Sequence, residues 1–177
     1  MMYTCHYQSP FGEILLAADE IGLTGLWFEG QKYFANTLPD EHISQETKVL
    51  TEAKQWLDIY FSGKEPAFTP TLHPSGSAFR QAVWKILLTI PYGQTMTYGE
   101  IARQLASEMH TDHMSAQAVG GAVGHNEISI IIPCHRVVGT NGSLTGYAGG
   151  IDKKIGLLEL ERTDMSHLFV PKKGTAL

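Results

Sequence analysis

The sequence predicts an α+β fold: a small antiparallel sheet with one covering helix, followed by a mostly helical domain. Three short segments at 3–8, 13–19 and 23–28 have strand composition and are separated by turn signals, so they predict an antiparallel meander. Apolar residues recur every three or four positions over 45–61, which predicts a helix that covers the sheet.

A stretch rich in proline and without apolar periodicity follows this helix, over 64–76. Such a composition is typical of a linker. We therefore place a domain boundary near Pro74, with an α+β domain at 1–74 and a second, more helical domain at 75–177.

The second domain contains a pattern of two short helices with a polar connection. Thr97 and Glu100 form a capping-box pattern ahead of a helix that ends near residue 107. The histidine-bearing connection at 107–113 separates it from a second helix at about 115–123. This arrangement predicts a winged helix-turn-helix-like motif, although the connection is longer than the usual three or four residues.

The second of these helices has an unusually small surface, with Gly120 and Gly121 in its interior. A glycine inside a helix costs about 1 kcal/mol relative to alanine, so the pattern indicates that something approaches the backbone closely. A contact face for another macromolecule and tight packing against a neighbouring helix explain it equally well.

Composition limits the classes of function. With 177 residues, 43% of them hydrophobic and 18% charged, the chain is expected to be globular with a real core. It shows no signal-peptide pattern and no apolar run long enough to span a membrane, so no membrane association is expected. The net charge of -5 argues against a general nucleic-acid binder but leaves room for a small DNA footprint. Two distant cysteines favour a cytoplasmic protein with reduced thiols.

The stretch around Cys134 is the strongest candidate for a site. The β-branched run 130–132 predicts a buried strand that ends at Pro133, which would aim the cysteine with little freedom. An inert buried thiol is the alternative. His135 could promote thiolate formation, with Glu161 as an orienting acid, and these three residue types are compatible with a protease, an acyltransferase or a redox sensor.

The local motif narrows this choice. The sequence PCHRVV at 133–138 resembles the active-site signature of O6-alkylguanine-DNA alkyltransferases, the methylated-DNA:protein-cysteine methyltransferases. The resemblance covers the second half of the chain and is weaker in the first, where it is carried mainly by SPFG at 9–12. The further matching segments, in the family's order and spacing, are 79–84, 118–121, Asn126, 146–150 and 157–159.

The resemblance implies specific roles for five residues. Cys134 would accept the alkyl group from guanine O6 in one in-line displacement. His135, acting through a water, would prepare the thiolate, and Glu161 would hold the imidazole. Asn126 would tie the helix-turn-helix to the acceptor segment, and Tyr98 would push on a phosphate and donate a hydrogen bond to the departing guanine.

The resemblance also implies a ribonuclease H-like first domain and a partner, double-stranded DNA whose O6-alkylguanine is flipped out of the stack. The small helix would lie in the minor groove and Arg136 would face DNA. The residues of this helix that are expected to contact DNA are Ala116, Gln117, Ala118, Gly120 and Gly121. The guanine pocket would be lined by Val137, Val138, Tyr147 and Ala148. The implied reaction is a single turnover by a monomer without a cofactor.

Two features depart from the family pattern. Gln117 stands where the family usually has an intercalating arginine, so we expect weaker and less salt-dependent DNA binding. His110 and His113 lie in the long connection, where solvated histidines are favoured over metal ligands. Some relatives bind zinc in the first domain, but Cys5 and His6 lack further ligands and no metal is expected.

Two rival functions remain. A lesion-binding, base-flipping protein without transfer is the nearer rival, although such relatives lack the acceptor cysteine that this chain has at position 134. A hydrolase with a Cys/His pair and a small substrate would leave the helix-turn-helix and the glycine-bearing helix unexplained.

Overall fold

The structure, a computed structural model, describes residues 1–172. The chain forms two compact units. The first comprises 1–75 together with 127–131, and the second comprises 76–126 and the chain from 132 onward. The return of 127–131 to the first unit was not predicted from the sequence.

The first unit contains the predicted meander. Its four strands lie in the order β3-β2-β1-β4, with antiparallel pairing of β1 with β2 and of β2 with β3, and a short parallel pairing of β1 with β4. The elements are β1 (Tyr3–Ser9), β2 (Gly12–Ala18), β3 (Leu23–Phe28), β4 (Ile43–Ser44) and helix α1 (Lys48–Phe61). All six residues of β3 are buried, which explains its nearly continuous apolar sequence.

Residues 127–131 extend the hydrogen bonding of β3. The Leu26 N–H donates to the Glu127 carbonyl at 2.8 Å, and the Ser129 N–H donates to the Leu26 carbonyl at 3.0 Å. The Trp27 indole N–H also donates to the Glu127 carboxylate at 2.9 Å, so this buried indole has a partner. An otherwise open sheet edge is thereby partly covered.

The second unit is mostly helical, as predicted. It contains α2 (Ala78–Leu87), α3 (Tyr98–Glu108), α4 (Ala116–Gly124), α5 (Ile151–Leu160) and two short parallel strands, β5 (Met96–Thr97) and β6 (Val137–Val138). Ser77, Thr97 and Ser115 cap α2, α3 and α4 by accepting a hydrogen bond from the N–H three residues later. Helices α3 and α4 form the helix-turn-helix pair.

The predicted strand at 130–132 is not formed. Ile130 has φ 70°, a rare conformation for a β-branched residue, and the Ile131 N–H donates to the Ser129 carbonyl in a tight turn. Pro133 (φ -83°, ψ 66°) forms an inverse γ-turn with the Cys134 N–H donating to the Ile132 carbonyl. The apolar residues 130–132 are buried in turns and take part in no β pairing. The nearby β-bridge joins Ile128 to Leu26.

No helix within residues 1–172 is long and apolar enough to cross a membrane. The longest, α1, has 14 residues, whereas a span requires about 20.

Candidate active site

Cys134 begins a 3₁₀ turn (Cys134–Arg136) and is 5% exposed. The peptide before it is fixed by Asn126, whose side-chain amide donates to the Ile132 carbonyl at 2.8 Å. Burial raises the pKa of the Cys134 thiol, while a hydrogen bond from Asn126 and the charge of Lys154 oppose this shift. The thiol is therefore held in one place, next to the groups that stabilise its ionised form.

His135 and Glu161 form a buried pair. The His135 Nε2 lies 2.6 Å from Glu161 Oε2, and both side chains are inaccessible to solvent. Burial lowers the pKa of His135, against the effect of the Glu161 carboxylate, which favours a neutral imidazole. Because a carboxylate only accepts hydrogen bonds, Nε2 carries the proton and Nδ1 has a free lone pair.

This Nδ1 is buried and has no hydrogen-bond partner among the described residues. Its environment is apolar on one side, where the Tyr147 ring lies edge-on to the imidazole with 6.4 Å between centroids. A buried, basic nitrogen without a protein partner is the group that a proton relay from a thiol requires.

The position of Arg136 shows that one prediction was wrong. We expected it to face DNA, but its guanidinium is buried and binds Glu161 through Nε (2.8 Å) and Nη2 (3.2 Å), with Nη1 donating to the Ile90 carbonyl at 2.7 Å. It also lies over the Tyr92 ring, 5.8 Å from the centroid. Burial alone would raise the pKa of Glu161, but His135 and Arg136 hold it well below its usual range. The arginine thus keeps the carboxylate charged.

Lys154 is a residue near Cys134 that the sequence reasoning missed. It is fully buried on the inward face of α5, and its ammonium donates to the carbonyls of Val137 (2.5 Å) and Thr145 (2.7 Å). Burial lowers the pKa of Lys154 to about 8, against the influence of Cys134. A signal was present in the sequence, because Lys154 shares a helical face with Leu157 and Leu158.

Tyr98 lies at the start of α3, and its hydroxyl donates to the Thr145 carbonyl at 3.2 Å. Burial and the nearby Cys134 raise the pKa of Tyr98 to about 12, so its hydroxyl remains a donor at neutral pH. Gly146 (φ 74°) leaves room for this hydroxyl, since a Cβ there would lie 2.9 Å from it. Tyr98 and Lys154 therefore both donate a hydrogen bond to the Thr145 carbonyl.

The four residues expected to line a guanine pocket lie close to this group. Val137 and Val138 are buried in β6, and Val138 packs against Leu144 and Leu158. Tyr147 is 7% exposed and Ala148 is half-buried. Their contact with a flipped guanine stays a prediction.

Helix α4 presents most of its small residues outward. The exposed residues are Ala116, Gln117, Ala118 and Gly121, whereas Val119, Ala122 and Val123 face inward. Gly120 is half-buried, and a Cβ added there would lie 3.9 Å from the Tyr98 ring, an ordinary van der Waals contact, while Gly121 faces open space. The helix carries no charged residue. Tight packing within the molecule therefore does not require either glycine, and a contact face for another macromolecule stays a prediction.

Within residues 1–172, one group of three side chains has a spacing suitable for a metal ion: His6, Glu13 and Glu29, all exposed on the first unit. His110 and His113 are not part of such a group. None of the residues described around Cys134 belongs to this group of possible metal ligands.

Family models match nearly the whole chain. Residues 2–74 match the ribonuclease-like domain of 6-O-methylguanine DNA methyltransferase, and residues 78–163 match its DNA-binding domain. The methylated-DNA--protein-cysteine methyltransferase of Methanosarcina acetivorans is 45% identical over 161 residues, which cover 90% of this chain and 98% of the relative. That of Haemophilus influenzae is 40% identical, with 91% of this chain and 87% of the relative covered.

Solved structures agree with these matches. The crystal structure of Mycobacterium tuberculosis OGT in complex with DNA is similar with a TM-score of 0.77 and 41% identity, covering 94% of both chains. The O6-methylguanine DNA methyltransferase of Methanococcus jannaschii has a TM-score of 0.63 and 30% identity, covering 96% of this chain and 100% of that one. The chain therefore belongs to the 6-O-methylguanine DNA methyltransferase family.

Proposed function

We propose that this protein repairs DNA by irreversible transfer of the alkyl group of O6-alkylguanine to Cys134. The observation that carries the proposal is the buried cysteine beside an imidazole whose tautomer is fixed by Glu161. Family membership supplies the substrate class, and the similarity to a DNA complex supports duplex DNA as the partner.

The chemistry is a single displacement. The thiol proton moves to Nδ1 of His135 through a bridging water, and the Cys134 sulfur attacks the alkyl carbon. The bond between this carbon and O6 breaks, and its electron pair remains on guanine, which takes up one proton to become an ordinary base. Tyr98 is the hydrogen-bond donor for the departing guanine. A stable thioether is formed, so each molecule reacts once and no cofactor is needed.

The buried charges favour the reactive state. Lys154 and the hydrogen bond from Asn126 stabilise the Cys134 thiolate against the cost of burial. Glu161 stabilises the imidazolium that forms when His135 receives the proton, and Arg136 keeps Glu161 ionised. Such groups act without reorganisation during the reaction because they are already in place.

The substrate must leave the helix to reach a buried sulfur. Flipping a damaged base costs a few kcal/mol, which the contacts of α4 in the minor groove would offset. The neutral exposed face of α4, with Gln117 at the position of the usual arginine, is the surface we assign to this contact. We place the reaction in the cytoplasm, because both cysteines of the chain are free.

The test is the stoichiometry of repair. A duplex with O6-methylguanine is incubated in excess with the protein, and the DNA is digested to nucleosides and quantified. We expect unmodified guanine to accumulate to one equivalent per protein and then stop, with no repair by Cys134→Ala. Binding without repair would instead indicate a lesion-recognition protein, and continuous turnover would indicate a hydrolase.

A further inference from the structure

The helix-turn-helix has very few permanent positive charges. Between Lys85 and Arg136 the sequence contains a single lysine or arginine, Arg103. Arg136 is buried against Glu161 and is not available to a partner. Because phosphate neutralisation by lysine and arginine supplies a large share of the affinity of proteins for DNA, Arg103 is the residue of this motif in which a phosphate contact is expected.

Arg103 lies on the exposed side of α3 and makes no hydrogen bond or ion pair within the described part of the chain. Its Nη1 lies 3.5 Å from the position that a Cβ on Gly99 would occupy, and the Thr140 hydroxyl lies 3.6 Å from the same point. The guanidinium and the hydroxyl therefore converge over Gly99, where the absence of a side chain leaves the space between them open.

An open cleft of about 480 Å³ adjoins Gly99 and Arg103. The cleft is lined by small residues of α3 and by Ala116, the first residue of α4. Its polar lining groups are Ser107 in the last turn of α3 and Thr111, Asp112 and His113 in the connection between α3 and α4. Hydroxyl and imidazole groups can donate to an anion, whereas the Asp112 carboxylate repels one.

We propose that Arg103, Thr140 and this cleft bind a phosphodiester group of the DNA backbone and provide the ionic anchoring that α4 lacks. The inference rests on the proposed function for the identity of the partner. The first helix of a helix-turn-helix crosses the DNA backbone, and an unpaired guanidinium matches the geometry of phosphate oxygens. The long 107–113 connection then has a function, because its residues form part of a phosphate site.

The test compares three charge variants by the salt dependence of binding to a duplex with O6-methylguanine. Arg103→Gln is expected to lower the slope of log K against log[salt] by about 0.9, the effect of one lost phosphate contact. Arg103→Lys keeps the charge and is expected to keep the slope. Lys85→Gln is the matched control, because Lys85 lies on α2 in a different groove, with Gln104 and Glu108.

Asp112→Asn provides a test with the opposite sign. Removing the carboxylate from the cleft is expected to tighten DNA binding at low salt by several-fold, an effect that a merely structural role of the connection would not produce. The proposal is overturned if Arg103→Gln has the slope of the unaltered chain, or if Lys85→Gln lowers the slope equally.

The outcome for the site is separable from that for the proposed function. Alkyl transfer is measured on the unaltered protein and on Lys85→Gln, whose rate constant is expected to be unchanged because Lys85 belongs neither to the acceptor site nor to the proposed phosphate site. If the unaltered protein binds DNA but transfers nothing, the proposed function fails while the slopes still decide on Arg103. If it does not bind DNA, both are contradicted.

Discussion

Two regions of the second unit differ in where their charged side chains lie. In the acceptor region, residues 132–138 with Lys154 and Glu161, the ionisable groups are buried and fixed by short hydrogen bonds. In the recognition region, residues 98–124, the helix expected to enter the groove is uncharged and the one arginine is exposed. The comparison indicates that this chain concentrates its charged groups around the acceptor cysteine and leaves Arg103 as the one exposed cation of the recognition region.

The largest effect is expected from the base in the acceptor region. We expect His135→Ala to lower the single-turnover transfer rate by about 10²- to 10⁴-fold, the usual contribution of a general base. Quenched-flow assays at saturating DNA measure this rate, and DNA affinity serves as the control because it should be retained. A rate within twofold of the unaltered protein would show that His135 is not the base.

Next in size is the loss of the Glu161 carboxylate, which binds both His135 and Arg136. Glu161→Gln leaves Arg136 buried without its counter-charge, which is expected to destabilise the fold by about 3–5 kcal/mol. The depressed pKa of Glu161 gives stability that is present above the ordinary glutamate range and is lost as the pH falls through and below it. Urea unfolding at neutral and acidic pH should therefore show a difference that shrinks in acid. An equal difference at both pH values would contradict this role.

A smaller effect is expected at Lys154. Replacing it with Met removes the charge that stabilises the Cys134 thiolate, so the transfer rate at pH 7 should fall about tenfold for each 1.4 kcal/mol of lost stabilisation. The deficit should narrow above pH 8, where the native lysine loses its own charge. Lys154→Arg is the matched control. A deficit that does not change with pH would assign Lys154 a structural role only.

The smallest effect is expected in the recognition region. Gln117→Arg adds one exposed cation to α4 and should steepen the salt dependence of DNA binding by about 0.9 in slope. Gln104→Arg adds the same charge on the side of α3 that faces the α2 groove. Equal effects of the two variants would show that general charge, and not the position of Gln117, controls binding.

Local patterns predicted much of the fold. The meander followed from segments of strand composition between turn signals, and the cap at Thr97 followed from hydroxyl chemistry at a helix start. The strand at 130–132 was wrong because β-branched apolar residues report burial as well as extended structure, and here the burial is satisfied in turns.

The site was predicted less completely. Cys134, His135 and the orienting role of Glu161 were proposed from their chemistry, but this chemistry fitted several reaction classes and only the family resemblance chose among them. The sequence alone could not show the pairing of His135 with Glu161, because it joins residues 26 positions apart. Arg136 and Lys154 show the common reason for the misses: long cationic side chains are expected at the surface. Their burial depends on partners, a carboxylate and two carbonyls, that only the tertiary structure brings together.

The most direct test of the central claim is the mass of the intact protein after incubation with a duplex that carries O6-methylguanine. We predict that the whole population gains the mass of one CH₂ unit, as a methyl group replaces the thiol hydrogen, and that peptide mapping places it on Cys134. An unchanged mass after complete binding, or a methyl group on Cys5, would contradict the assignment of Cys134 as the acceptor.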